Sequence, residues 1–532
     1  MERLIESNKL KEQRKMKKTM RQHSVASRLK SLALAFGITL AFASCANEEI
    51  AQNPNGKDND ASLTTFSTGD PTTRTSMESN GTFYWESGDK IWVKDDNGAW
   101  QQSSNAPTEK TASFEFKVPG KFTKSSTYKV YYPGKNGNKD QVSIAANQSQ
   151  TEPNTTAHFG VSGDCGMADA TWSNAKNGFA FTLDHKAAYL LFLPRTSNTI
   201  LQSCYLTKVE VNSDNDITST YTLDPTTGEL TGTGTGKQII VSTGGSGTYA
   251  NGFPLTNNAT SAATNGAYVV IKPGTHILKI RYWLKDVATG TEGTITKILS
   301  SASYDQNKYY NITANLDVRD YDGDHYYMWD AQQNYWSGHE WDKVNPWQPV
   351  LTGQSNSNYA QSNADPRYYN EAFTNGADNK ATHTPCKDLP NVNEMTWYAA
   401  KGEPRWDADE LWTTMGHLYK GGMWFKKKAN ISGFDANKAV DGTDWRTNGN
   451  GNSWSVSQTL PDAADAGNYF YLPTLGKYYS GLLIDVAHVG YYWSSSAYPW
   501  NSSYAYKLYF DSDYVYVYYS IRDSGYRAEV FQ

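Results

Sequence analysis

Between Leu63 and Val318 the apolar and aromatic residues arrive in short runs, each closed by Gly, Asn or Pro, and no helical period of ten residues or more separates them. Phe83-Tyr84-Trp85, Lys90-Ile91-Trp92-Val93, Tyr128 to Tyr132, Ala188 to Leu193, Thr207 to Val211 and Ile277 to Tyr282 are examples. Segments of this length can bury side chains only as extended strands, because an amphipathic helix needs a longer register. A run of about 255 residues punctuated in this way is enough for two β-sandwiches. Composition agrees: aromatic residues make up 14% of the 532-residue chain, with 37 Tyr and 17 Trp, while charged residues reach only 19%. Strands favour Tyr, Trp, Val and Thr, and turns favour Gly and Asn. So many aromatics exclude a disordered chain, and the pattern does not fit a helical cytosolic enzyme.

The first residues set the compartment. A basic segment (Lys17, Lys18, Arg21, Arg28, Lys30) precedes the apolar run from Leu32 to Ala43, which ends at Phe42-Ala43-Ser44-Cys45. A charged stretch, a short apolar stretch and small residues before a cut describe a signal peptide rather than a membrane span. A Cys directly after small residues is the lipobox pattern, in which Cys45 is lipidated and anchors the chain to the outer membrane. The stretch before Met16 is long for such a leader, so Met16 or Met20 is the expected start of translation. Loss of residues 1–44 takes the formal charge from −5 to −12, which argues against nucleic acid as a partner. Residues 45–62 read as a flexible tether. Of the remaining cysteines, Cys165 and Cys204 can form one bond or stay as thiols with Cys386. No zinc spacing and no cofactor motif occurs.

Asp317 to Asp324 marks a boundary. Its spaced carboxylates lack the twelve-residue calcium pattern, so 319–325 reads as a solvated linker and no metal is expected. The region 326–532 holds twelve of the 17 Trp. A helix is expected from Asn391 to Tyr398, capped by Asn391 or Asn393, and another from Glu410 to Tyr419. Strands are expected at Tyr491 to Ser496, Ala505 to Phe510, Tyr514 to Tyr519 and Ala528 to Phe531.

Thr73-Arg74-Thr75-Ser76, Gly81 to Trp85, Gly88 to Val93, His185 to Ala188 and Lys308 to Ile312 resemble the fimbrillin-like proteins of Bacteroidetes over residues 63–318. The resemblance implies two transthyretin-like sandwiches, 63–186 and 187–318, of the kind found in pilus subunits. It also implies that an Arg-specific protease removes the first strand, with Arg74 as the cleavage site, so that a strand of another fimbrial subunit can fill the opened groove.

Eleven tyrosines lie between Tyr491 and Tyr526. Tyr491 to Ser496, Ala505 to Phe510 and Gly525 to Val530 resemble the C-type-lectin-like domains of gut-bacterial surface proteins, some of them diversified by retroelements. The ending Arg527-Ala528-Glu529-Val530 departs from the usual Val-Arg-Pro-Val strand, which leaves diversification open. The implied architecture is multidomain: two all-β sandwiches followed by an α+β C-type-lectin-like domain. If Val515 and Val517 face the core, Tyr514, Tyr516 and Tyr518 share the other face. Tyr491, Tyr492, Trp493, Tyr506 and Phe510 read as packing residues. Tyr498, Trp500, Asn501, Tyr504, Asp511, Asp513, Tyr518, Tyr519 and Arg522 read as a ligand-binding surface, because Tyr gives contact area at low entropic cost while Ser and Asn adapt.

The expected function is a cell-surface adhesin or fimbrial tip whose partner is a host or bacterial surface protein or a glycan. A calcium-dependent lectin is disfavoured, because Glu403-Pro404-Arg405 puts a cation where the sugar-binding loop needs an amide or acid. Catalysis by a sulfatase-activating relative needs reactive cysteines, and only Cys386 is at hand. Asp407, Asp409 and Glu410 read as helix-start acids, and His417 and His488 have no nucleophile partner. The chain is therefore expected not to be an enzyme. A shaft or anchor subunit is the structural alternative, disfavoured because the chain ends inside an additional domain.

Overall fold

A computed structural model describes residues 63–68, 76–77, 83–375 and 379–532. Cys45 and Arg74 lie outside the described residues. Within Ser62–Gln532, which forms one compact unit, the architecture is predominantly β with several sheets.

The first sheet contains β1 (Leu63–Thr68), β2 (Glu115–Pro119) and β3 (Tyr128–Tyr132). The chain then leaves it. β4 (Gln141–Ser143), β5 (Asn147–Gln150) and α1 (Phe159–Ser162) pack elsewhere before β6 (Gly166–Ser173) and β7 (Gly178–Phe181) return to complete the sheet. β1 sits inside it, antiparallel to β2 and parallel to β7, so that Phe66 lies opposite both Phe116 and Phe179. Phe66 is fully buried with Trp85, Phe116, Val130 and Tyr132.

The second sandwich is built from β8 (Ala188–Arg195), β9 (Cys204–Ser213), β10 (Thr220–Leu223), β11 (Gln238–Thr243), β12 (Ala267–Ile271), β13 (Gly274–Asp286), β14 (Glu292–Tyr304) and β15 (Tyr309–Asn315). One layer runs β12-β8-β15, and the facing sheet contains β14-β13-β9-β11-β5. β4 pairs with β10, and β5 runs parallel to β11. Val142, Ile144, Phe159 and Cys165 consequently belong to the second core. The expected boundary at 186/187 therefore does not separate the sandwiches, because residues 141–165 of the first half are built into the second.

The C-terminal region begins with a segment pinned in place rather than a solvated linker. Tyr321 N donates to Thr413 O at 2.8 Å, Thr413 N donates to Arg319 O at 3.2 Å, and the Tyr321 ring is buried. α2 (Val392–Lys401) is held by a capping box: Glu394 N donates to Asn391 Oδ1 at 3.1 Å, and Asn391 N donates to Glu394 Oε2 at 2.9 Å. This satisfies two of the free N–H groups at the helix start.

The second expected helix is instead a hairpin, β16 (Arg405–Thr414) and β17 (His417–Lys426). Its two-residue turn, Met415-Gly416, has φ of 47° and 78°. Positive φ at both positions is the turn whose twist matches a hairpin, and the β-branched pair Thr413-Thr414 favours strand over helix.

β18 (Asn452–Ser455), β19 (Tyr469–Pro473), β20 (Gly490–Ala497), β21 (Tyr504–Phe510), β22 (Tyr514–Ile521) and β23 (Tyr526–Arg527) follow. The last sheet runs β23-β20-β21-β22-β18. Residues 528–531, expected as a strand, form none. Ala528 N donates to His325 O at 2.9 Å, and Phe531 is buried beside Tyr398, Phe470 and Tyr492. β19, β17 and β16 extend the second sandwich's large sheet, because β14 pairs in parallel with β16 at Thr294 and Glu410.

Candidate functional site

Alternation along β21 and β22 divides their side chains between two faces. Tyr506, Leu508, Phe510, Val515 and Val517 point inward and are fully buried together with Tyr492, against α2. Tyr491, Trp493, Tyr506 and Phe510 are likewise buried, so the packing residues pack. The opposite face carries a ladder of rings. Tyr491 stacks on Tyr509 at 5.8 Å, Tyr509 on Tyr516 at 4.3 Å with planes 3° apart, and Tyr514 closes on Tyr516 at 5.8 Å. Tyr526 stacks on Tyr491 at 5.2 Å. One end is roofed by Trp329 and Cys386; the other end is open, with Tyr514 at 45% and Tyr518 at 44% exposure.

Two lysines line this face. Lys507 Nζ lies 4.5 Å from the centroid of Tyr509, 5.2 Å from Tyr526 and 5.5 Å from Tyr491, and Lys477 Nζ lies 4.4 Å from Tyr491. Burial, reinforced by Lys477, pushes the Lys507 ammonium down to about 7. The ring faces act in the opposite sense, attracting the cation.

The nine residues expected to bind do not form one surface. Trp500 is 62% exposed and Asn501 is exposed. Tyr518 and Trp500 both lie against the turn at Gly449 and Gly451, where a Cβ would meet the Trp500 ring at 2.8 Å and the Tyr518 ring at 2.3 Å. Tyr498 is only 7% exposed and stacks at 3.9 Å on the half-buried Tyr519, with Tyr504 packed beside them. Arg522 is 1% exposed: Nε donates to Tyr504 O at 3.0 Å, and its guanidinium lies between Trp329 at 4.3 Å and Phe373 at 4.8 Å. Tyr498 and Arg522 are thus interior residues, because the segment after Ile521 turns inward to meet Trp329. Asp511 and Asp513 sit at the far end of the hairpin, roughly 20 Å from Tyr504 by strand rise. Asp511 Oδ1 accepts from Asp513 N and Tyr514 N, both at 2.9 Å, which makes it a turn former. Tyr514, Tyr516 and Tyr509 were absent from the expected site, although the Val/Tyr alternation places the first two on the open face.

The acids proposed as helix-start residues stand elsewhere. Arg281 Nη2 pairs with Asp407 Oδ1 at 2.9 Å, both buried. Glu410 accepts from Thr296 N at 2.9 Å and from Thr296 Oγ1 at 2.7 Å. Burial, then the neighbouring Asp407, pushes the Glu410 carboxyl up to about 7. These residues tie β16 to β13 and β14. In Glu403-Pro404-Arg405 the Arg405 guanidinium turns back onto Glu403 at 3.1 Å, and Lys426 and Tyr469 also engage that carboxylate. Asp322, Asp324 and His325 come together at the surface, with His325 Nδ1 2.7 Å from each acid. Cys165, Cys204 and Cys386 are buried free thiols, and burial pushes Cys386 up to about 12.

No family model and no curated protein matches the chain. Among solved structures it is similar to a Bacteroides ovatus protein provisionally described as a cell adhesion protein, at 15% identity over 48% of this chain and 93% of that one, with a TM-score of 0.29. A fimbrial anchor protein of Porphyromonas gingivalis matches at 12% identity over 44% and 82%, with a TM-score of 0.21. A fimbrial protein of Bacteroides ovatus matches at 10% over 87% and 98%, with a TM-score of 0.23. TM-scores this low decide neither fold nor function.

Proposed function

We propose that the chain is an exported, lipid-anchored adhesin of the cell surface or a fimbrial tip, with a C-type-lectin-like terminal domain and no enzymatic role. The tyrosine ladder carries this reading. A sheet that needed only to fold would put polar residues on its solvent face, whereas this one leaves the outer rings of the stack there, Tyr514 exposed and Tyr509 and Tyr516 half-buried, as recognition surfaces do. Tyr514 and Tyr518 are the accessible anchors, with Trp500 beyond them. Glu403, the acid of the Glu-Pro-Arg loop, is engaged by Arg405, Lys426 and Tyr469, which supports a ligand taken through ring faces and hydroxyls.

Residues 526–531 are engaged within the C-terminal region through β23 and Phe531, so this segment is not itself available as a donor strand. Subunit joining instead uses the first sandwich. β1 fills the space between β2 and β7 with Phe66 in the core, and cleavage at Arg74 would release it and leave two strand edges and an aromatic pocket for a donor strand. Arg74→Ala is expected to leave the N-terminal strand attached in surface fractions, read by the mass of the mature chain; an unchanged mass removes the processing step.

Cells displaying Tyr514→Ala/Tyr518→Ala are expected to adhere at least about tenfold less to ligand-bearing cells, with stability altered by no more than about 0.5 kcal/mol, as befits exposed positions. Undiminished adhesion at equal surface display would overturn the ladder as the binding surface.

A further inference from the structure

We propose that the C-terminal region carries a second recognition site, separate from the tyrosine ladder, that takes a neutral sugar residue of a glycan. The site is an open cleft of about 400 Å³ walled by the turn at 330–332, the loop 363–372 and His383.

The cleft is rigidly built. Asp330, at a left-handed φ of 56°, is fully buried, and its carboxylate accepts from Thr382 N at 2.7 Å, His383 N at 2.6 Å, Thr382 Oγ1 at 3.0 Å and Asn370 Nδ2 at 2.8 Å. Those bonds fasten three separated segments to one point. On the opposite wall Arg367 Nη2 pins Asp365 Oδ2 at 2.7 Å, and Gln332 N donates to Pro366 O at 3.1 Å. A site whose walls are fixed before the ligand arrives loses less entropy on binding.

What remains unused inside the walls defines the ligand. The side-chain amides of Gln332 and Asn363 and the carboxylate of Glu371 make no hydrogen bond among the described residues. His383 Nδ1 faces the Asp330 carbonyl at 2.9 Å and must donate to it, so in the neutral ring Nε2 is left as an acceptor. The half-buried rings of Tyr368 and Tyr369, 4.5 Å apart, supply an apolar shelf. Amide N–H donors alternate here with carboxylate, imidazole and amide acceptors beside aromatic faces. A sugar ring needs all three, because each hydroxyl both donates and accepts while the C–H face packs on a ring. An ammonium group could use only the acceptors and would leave the amide donors unmatched.

The test uses the purified full-length protein and immobilised neutral oligosaccharides ending in glucose, galactose, mannose or N-acetylglucosamine. At least one is expected to bind, with Glu371→Gln, Gln332→Ala and Tyr369→Ala each weakening it about tenfold. Glu371 and Gln332 are exposed, so those two variants test the site without disturbing the fold. The proposal is overturned if no oligosaccharide binds, if Glu371→Gln and Gln332→Ala both bind like the parent, or if a lysine-rich peptide binds in a Glu371-dependent way and the sugars do not. None of these residues belongs to the tyrosine ladder, so the two sites succeed or fail separately.

Discussion

Lys507 and Arg522 are both buried, and neither forms an ion pair among the described residues. Lys507 occupies a position where alternation along β21 demands the ring-lined face, and its ammonium is held down to about 7 against roughly 10.4 in an unfolded chain. Between those values the unfolded chain binds more protons, so stability rises with pH across that window and the full penalty applies below about 7. Lys507→Met should therefore raise stability at neutral pH by about 1–4 kcal/mol, and the gain should shrink as pH climbs towards 10; denaturant melts of the two proteins at several pH values read the difference. Arg522 leaves both terminal nitrogens without a partner. Its loss costs one hydrogen bond and two ring contacts but removes a buried cation, so Arg522→Met is expected to change stability by no more than about 1 kcal/mol.

At the scale of elements, legibility followed the length over which a signal repeats. The strands of 491–519 were readable because five residues of alternation, Tyr514 to Tyr518, fix which face each side chain takes. α2 was readable from a cap that Asn391 or Asn393 could supply before an apolar run, and the structure uses Asn391, with Glu394 completing the box. Asn391→Ala should destabilise by about 1 kcal/mol, measured by the same melts. The stretch from Glu410 to Tyr419 misled because Leu411, Trp412 and Leu418 fall at helical intervals while Met415-Gly416 decides the outcome through backbone angles that a spacing pattern does not record. The excursion of β4, β5 and α1 into the second sandwich left no trace either, since strand pairing between distant segments depends on tertiary partners rather than on local composition. The candidate site was half legible for the same reason: Tyr518 and Trp500 follow from local pattern, whereas the burial of Tyr498 and Arg522 comes from Tyr519, Trp329 and Phe373, which lie elsewhere in the chain.

Across the whole molecule, the joint between the second sandwich and the C-terminal region is a charged one. Lys279 reaches the Pro461 carbonyl, Arg281 pairs with Asp407, and Glu410 accepts from Thr294 and Thr296. Glu410, raised to about 7, binds a proton in the folded state that it would release above roughly 4.3 when unfolded. Its stabilising contribution is complete below that lower value and is lost as pH rises through about 7. The midpoint difference between the parent and Glu410→Gln should therefore change sign or shrink across pH 5 to 8.5, with the variant gaining relative to the parent on the alkaline side. A difference that stays constant with pH would show that Glu410 is already ionised in the fold.

Residues 141–165 stitch the two sandwiches and β16 carries the large sheet onward into the terminal region, so that among the described residues the three parts share hydrogen-bonded strands. If Tyr514 and Tyr518 hold a ligand as proposed, tension entering there would pass along hydrogen-bonded strands and through the Arg281–Asp407 pair, loading strand pairings in shear rather than a flexible linker.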